Sequence, residues 1–161
     1  PMTPEQKQLV KGSWAKVLPI QETAAELFYG RLFETYPEVR PLFKGDMKEQ
    51  GRKLMAMLNT AVSGLDNLEA LIDPLKQSGM AHKGYGVKAE DYDKVGAAFL
   101  WTLEKGLGEA FTPEVKEAWT VTYGTVAGVM IEGADYGAEA APDAPKPKWW
   151  QSIFGAKASA T

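Results

Sequence analysis

Residues 68–87 read LEALIDPLKQSGMAHKGYGV. Leu68, Leu71, Ile72 and Leu75 fall at i, i+3, i+4 and i+7, which lines up one buried stripe on an α-helix. Just upstream, Asp66-Asn67-Leu68-Glu69 reads as a capping box, with Asp66 at the cap and Glu69 answering it. Pro74 has no N–H to give the helix ladder and is expected to split or kink the run. Extending the stripe from Leu75 leads to Gly79 and then to His82. The chain's one histidine is therefore expected on the face of the buried leucines. Gly84 and Gly86 close the segment.

Helical punctuation continues in both directions. Gly45-Asp46 opens a helix to about Gly64, with Met47, Leu54, Met55, Leu58 and Val62 inward. Pro37 to Phe43, with two prolines, is a tight turn or a short helix, because the residue before proline avoids helical angles. Gln21 to Tyr36 carries Leu27, Phe28, Leu32 and Phe33 on a broad apolar stripe. Thr3-Pro4-Glu5-Gln6 is a start box, followed by Leu9, Val10, Trp14 and Val17 until Pro19 stops the run. Toward the C-terminus, Glu90 to about Leu107 places Tyr92, Val95, Phe99, Leu100 and Leu103 inward. Thr112-Pro113-Glu114 starts the last long helix, with Val115, Trp119, Val126, Val129 and Met130 apolar, and it fades near Gly137. No stretch alternates with period two for long enough to make a strand, and no internal repeat is present. The expectation is an all-α domain over 1–137, an Ala/Pro/Lys linker over 138–148 and an aromatic tail over 149–161.

The 161 residues suit one domain and one core. With 18 Lys and Arg against 21 Asp and Glu, the net charge of −3 argues against a nucleic-acid partner. There is no cysteine, which excludes disulfides, thiolate zinc sites, iron–sulfur clusters and thioether-linked haem. No apolar run reaches the roughly 20 residues of a membrane helix, and the N-terminus lacks a signal-peptide pattern. Pro1 before Met2 reads as a cleavage remnant, with Met2 the expected native start, and a cytoplasmic protein is expected.

A single histidine narrows the available chemistry. A zinc site wants three or four protein ligands, and His82 has no second His or Cys to join it. No nucleophile elbow or glycine-rich phosphate loop is present. Haem ligation needs one protein nitrogen, because the porphyrin supplies the four in-plane ligands. On composition alone His82 is either that ligand or a satisfied core or interface histidine.

Particular strings resolve this choice. Leu27-Phe28-Tyr29 through Leu32-Phe33, Tyr36-Pro37-Glu38-Val39-Arg40-Pro41-Leu42-Phe43, His82-Lys83-Gly84-Tyr85-Gly86-Val87, and Ala118-Trp119 with Tyr123-Gly124 resemble the globins. The likeness is to the bacterial single-domain and flavohaemoglobin-like branch, and it covers about Thr3 to Ile131. It implies a three-over-three globin fold with a short C-terminal extension, holding non-covalent haem b. It further implies that His82 is the proximal iron ligand, that Phe43 wedges against the haem and that Gln50 stands at the distal position. Leu54 would flank the ligand pocket, Tyr29 would point into it, and Lys53 would reach a haem propionate. Tyr92 and Val87 would contact the haem on the proximal side. Gln50 can offer an amide N–H and Tyr29 a hydroxyl to a ligand that gains negative charge on binding.

Two departures from the flavohaemoglobin pattern matter. The proximal glutamate of that branch falls on Ala134, with Glu132 and Asp135 off register. No flavin or nicotinamide domain follows in the sequence. The function the resemblance implies is reversible binding of O2, and of NO or CO. The alternatives are NO dioxygenation served by an external reductase, and a haem-based gas sensor. The tail adds Trp149, Trp150, Ile153 and Phe154 on one helical face, flanked by Lys146, Lys148 and Lys157. It is expected to dock on its own globin domain or on a second copy, with contact to a membrane surface or another protein as the alternative.

Overall fold

The computed structural model describes residues 2–136, so the linker and the aromatic tail lie outside the described residues. Helix α1 (Pro4–Val17) opens with the capping box its sequence predicts. The Gln6 N–H donates to Thr3 Oγ1 at 3.1 Å, and the Thr3 N–H donates to Gln6 Oε1 at 3.0 Å. A 3-10 turn over Leu18–Ile20 leads into α2 (Gln21–Thr35). Pro37–Leu42 is a 3-10 helix, the short form that its two prolines permit. Asp46 caps α3 (Met47–Ser63) by accepting from the Lys48 N–H. Then come α4 (Leu68–Gly84), α5 (Asp91–Leu107) and α6 (Pro113–Ala134), the last capped by Thr112 through the Val115 N–H. There is no strand among the described residues, and no helix there is long and apolar enough to cross a membrane.

Three local expectations need correcting. Asp66 caps nothing. It lies in a 3-10 turn over Leu65–Asn67 and pairs with Lys11 of α1, whose ammonium holds the Asp66 carboxyl below the usual carboxylate range. A charged partner has displaced the local cap. Pro74 neither splits nor ends α4. It is exposed, where the carbonyl one turn back can turn to water, and the helix runs on for ten residues. The buried stripe also stops short of the histidine. Leu75 and Gly79 are buried, but His82 emerges half-buried as α4 ends.

The helices stack as α1, α3 and α4 over α2, α5 and α6, the three-over-three arrangement. The main core includes Val10, Leu32, Val39, Leu65, Leu103 and Trp119, each fully buried. Burying one such side chain contributes about 1.5–3 kcal/mol. The Trp119 indole N–H inside it donates to Ser13 Oγ at 2.7 Å, which satisfies a polar group that would otherwise be costly to bury. A second, smaller core gathers Leu75, Tyr92, Ala127, Met130 and Ile131, and Tyr123 borders both. Helix α4 rests almost wholly on α6. It hardly touches α3, although one turn joins the two. The candidate site residues lie on these two helices and on the segments that flank them.

Candidate functional site

His82 sits in the last turn of α4. Its Nδ1 is 2.6 Å from the Ser78 carbonyl, one turn back. A carbonyl only accepts, so Nδ1 carries the proton and Nε2 keeps a lone pair for a metal. Tying the far nitrogen in this way also fixes the ring, as the outer partner of a metal-bound histidine does. Nothing in the sequence signals Ser78, because any residue at that position supplies the carbonyl.

The chain turns sharply just beyond. The Val87 N–H donates to the His82 carbonyl (3.0 Å) and the Gly86 N–H to that of Lys83 (3.0 Å), with Gly86 at φ +97°. This is the Schellman closure, whose left-handed residue favours glycine. Its longer bond ends on His82 itself, so Val87 caps the histidine's own turn. The half-buried Val87 side chain packs on the second core, and its carbonyl accepts from the Tyr136 hydroxyl. Lys83 reaches across to α6, where its ammonium donates to the Ala134 carbonyl at 3.1 Å and lies 5.5 Å from the centre of the Tyr136 ring.

On the other side, α2 and α3 bring Tyr29 and Gln50 together. The Tyr29 hydroxyl, on a side chain only 8% exposed, donates to the Gln50 backbone carbonyl at 3.2 Å. Burial pushes its pKa up to about 12, so it remains a proton donor across the physiological range. The Gln50 side-chain amide donates to the Lys44 carbonyl at 2.8 Å. Both groups therefore have in-chain partners and must turn to serve a ligand. Phe43 stacks edge-on against Tyr29 and Phe33, with ring centres 5.4 and 5.3 Å away. Leu54 is half-buried against the main core, one turn along from Gln50. Lys53 shares that face of α3 and is exposed. A groove of about 910 Å3 runs along the other face of α3, past Met47, Gly51 and Met55, and Tyr29 and Phe33 belong to both sides.

Tyr92, near the start of α5, is 6% exposed. Its hydroxyl is buried with no hydrogen-bond partner, while its backbone carbonyl accepts from the Tyr123 hydroxyl at 2.5 Å. Ala134 itself carries no carboxylate, and Glu132 is exposed, 3.9 Å from Lys76. Sequence reading missed the link between the two sides. Lys94 bridges, at 3.3 Å each, Glu38, in the segment leading to Phe43, and Asp91, the first residue of α5, whose carboxylate also accepts from the Lys88 N–H beyond the His82 turn.

A lone histidine with one ring nitrogen held at the end of α4, and a tyrosine and a glutamine brought together by α2 and α3, make up the candidate site among the described residues. The comparisons give the family. The globin family model matches residues 26–130. The chain is 30% identical over 146 residues to a neuroglobin of Chaenocephalus aceratus, covering 82% of this chain and 92% of that one. It is 31% identical over 147 residues to a flavohemoprotein of Halalkalibacterium halodurans, covering 89% of this chain but only 36% of that longer protein. Among solved structures, an engineered carbene transferase from Rhodothermus marinus superposes with a TM-score of 0.77 at 24% identity, covering 86% of this chain and 97% of that one. A hexacoordinated heme protein from an anhydrobiotic tardigrade gives 0.76 at 20%, covering 83% and 96%. The chain belongs to the globin family.

Globin membership implies haem, and the residues fit it. Among the described residues no cluster of three or more His, Asp or Glu side chains could hold a bare metal ion. Haem would bring most of the iron's ligands itself, leaving one for the chain to supply. His82 offers one oriented nitrogen donor, and the partly buried faces of Phe43, Leu54 and Val87 suit an apolar macrocycle.

Proposed function

We propose that this globin holds haem b without covalent attachment and binds O2 reversibly, with NO and CO as alternative ligands. The observation that carries the reading is the His82 ring. Its Nδ1 proton is committed to Ser78, its Nε2 is available, and its helix stands apart from α3. Haem, when bound, supplies the iron that takes up the diatomic ligand. The chain supplies the rest. The His82 Nε2 would hold the iron, and Phe43, Leu54 and Val87 would exclude water from the haem. The Tyr29 hydroxyl and Gln50 amide are the hydrogen-bond donors, and Lys53 is placed to meet a propionate. Tyr92 closes the His82 side.

The second reading, NO dioxygenation with an external reductase, draws on the likeness to a flavohemoprotein. The surroundings of His82 favour simple binding over it. Tyr92's hydroxyl has no partner, and the nearby Ala134 position presents a carbonyl already taken by Lys83. Among the described residues, no carboxylate is hydrogen-bonded to the Tyr92 hydroxyl or to the His82 ring.

The test is the absorption spectrum of the purified protein in its ferric, ferrous, CO and O2 forms. The expected result is a haem spectrum with a stable, reversible O2 form. Absence of bound haem, or failure of the ferrous form to take up CO, would overturn the reading. Rapid NO consumption with a generic reductase, alongside a short-lived O2 form, would decide for the dioxygenase.

A further inference from the structure

Helix α4 has one substantial support, α6, and the two meet backbone to backbone. A Cβ built on Gly79 would lie 1.9 Å from the Met130 carbonyl oxygen and 2.8 Å from its Cα. A Cβ on Gly133 would lie 2.4 Å from the Lys76 Cα. The contact is reciprocal, since each glycine faces the other helix's main chain three residues from the other glycine's partner. In both cases the obstacle is backbone, which cannot swing aside as a long side chain can. An added methyl at either position must push α4 away from α6. Gly79 lies three residues before His82 and one after Ser78, whose carbonyl orients the ring. A displaced α4 carries both groups with it. Beyond His82, the Lys83 bridge to Ala134 holds the same two helices at their ends.

We propose that Gly79 and Gly133 form a seat that sets where α4 presents the His82 nitrogen, making both glycines positioning residues for the iron ligand. The inference rests on the assignment of His82 as that ligand.

The experiment compares Gly79→Ala and Gly133→Ala with Gly84→Ala in the full haem-loaded chain. Gly84 is in the same helix, two residues past His82, with nothing within 4 Å of its Cβ position. The readouts are the ferrous iron–histidine stretching frequency and the rate of haem transfer to an acceptor protein. Mutating groups that orient a metal ligand typically weakens the metal site about 10- to 100-fold. Haem loss should accelerate by that order in the Gly79 and Gly133 variants, with a shifted frequency, while Gly84→Ala matches the parent. Lys83→Met keeps the stem and drops the ammonium, giving a milder loosening of the same seat if an alanine variant does not fold. It should move both readouts in the same direction.

A second background separates positioning from general damage. In His82→Gly protein supplied with free imidazole, the iron's ligand is no longer tethered to α4, so Gly79→Ala should cease to shift the iron–imidazole frequency. Three results would sink the seat. One is unchanged frequency and haem loss in folded Gly79→Ala and Gly133→Ala. Another is an unchanged Lys83→Met where those variants do not fold. The third is a shift of equal size in the imidazole background. Failure of the underlying assignment looks different, because His82→Gly would then keep haem and its ferrous spectrum without added imidazole.

Discussion

Phe43 and His82 anchor two sides of the candidate site, and the two sides are built differently. Phe43 belongs to an aromatic cluster with Tyr29 and Phe33 that is continuous with the main core, where α2 packs on both α3 and α5. His82 rides on a helix with a small core of its own, held by α6 through two glycines and closed by a glycine turn. The Tyr29 side derives its position from many interlocking side chains, and the loss of one can be absorbed. The His82 side derives its position from a few close main-chain contacts, and there a single methyl group has no room. Lys94, bound to Glu38 and Asp91, is the ion-pair link between them.

The largest expected effect tests the less redundant side. His82→Ala removes the chain's one histidine and should leave most of the haem lost or loosely held, read from the haem absorption per protein. A variant with full haem and an unchanged ferrous–CO spectrum would remove the basis for treating the α4 side as the iron side.

The next effect belongs to the Tyr29 side. Tyr29→Phe should leave haem content near normal and speed O2 release. Losing a hydrogen bond to a partly charged ligand costs about 1.5–3 kcal/mol. That corresponds to roughly tenfold to more than a hundredfold in rate. CO gains less charge and should respond much less, so O2 and CO dissociation rates measured side by side decide the point. Equal acceleration of both would mean that Tyr29 shapes the pocket without donating to the ligand.

A smaller effect returns to the His82 corner. Gly86 holds φ +97°, a conformation that costs a residue with a Cβ about 1–2 kcal/mol. Gly86→Ala should lower stability by that amount in urea unfolding, with the slope of the transition preserved. Gly84→Ala, at an open position without left-handed backbone, should not. Similar behaviour of the two would show that the Schellman closure at Val87 does not constrain the His82 turn.

Punctuation made most of this fold legible before any coordinates. The Thr3 and Thr112 caps, the Asp46 start and the prolines around the Pro37–Leu42 turn all act within a few residues, so the sequence displays them directly. The Asp66 cap failed because its rival, Lys11, is 55 residues away and becomes a partner only once the chain has folded. Family likeness singles out Tyr29 and Gln50, but it does not show their present partners. The carbonyls of Gln50 and Lys44 are generic acceptors that no side-chain pattern announces. The glycine seat was invisible for the same reason. Gly79 stood out only as a step on the way to His82, and the Met130 and Lys76 main chains that explain it carry no sequence signal.

The smallest effect lies above physiological pH and separates the two sides by their tyrosines. Burial raises the Tyr29 hydroxyl from 10.0 to about 12, and it raises Tyr92 and Tyr123 further. The folded chain therefore holds these protons more tightly than the unfolded chain does. The resulting stability is fully present below about pH 10, where unfolded tyrosine is still protonated, and is lost as pH rises. For Tyr29 the loss should run from about pH 10 to about 12, while Tyr92 and Tyr123 go on contributing beyond that range. Unfolding stability measured stepwise through this window should fall, and within the tyrosinate absorption contributed by these three buried hydroxyls the first step should be the one that Tyr29→Phe removes. Removal of that first step by Tyr92→Phe instead, with Tyr29→Phe silent, would reverse the order and place the better-sealed hydroxyl at Tyr29.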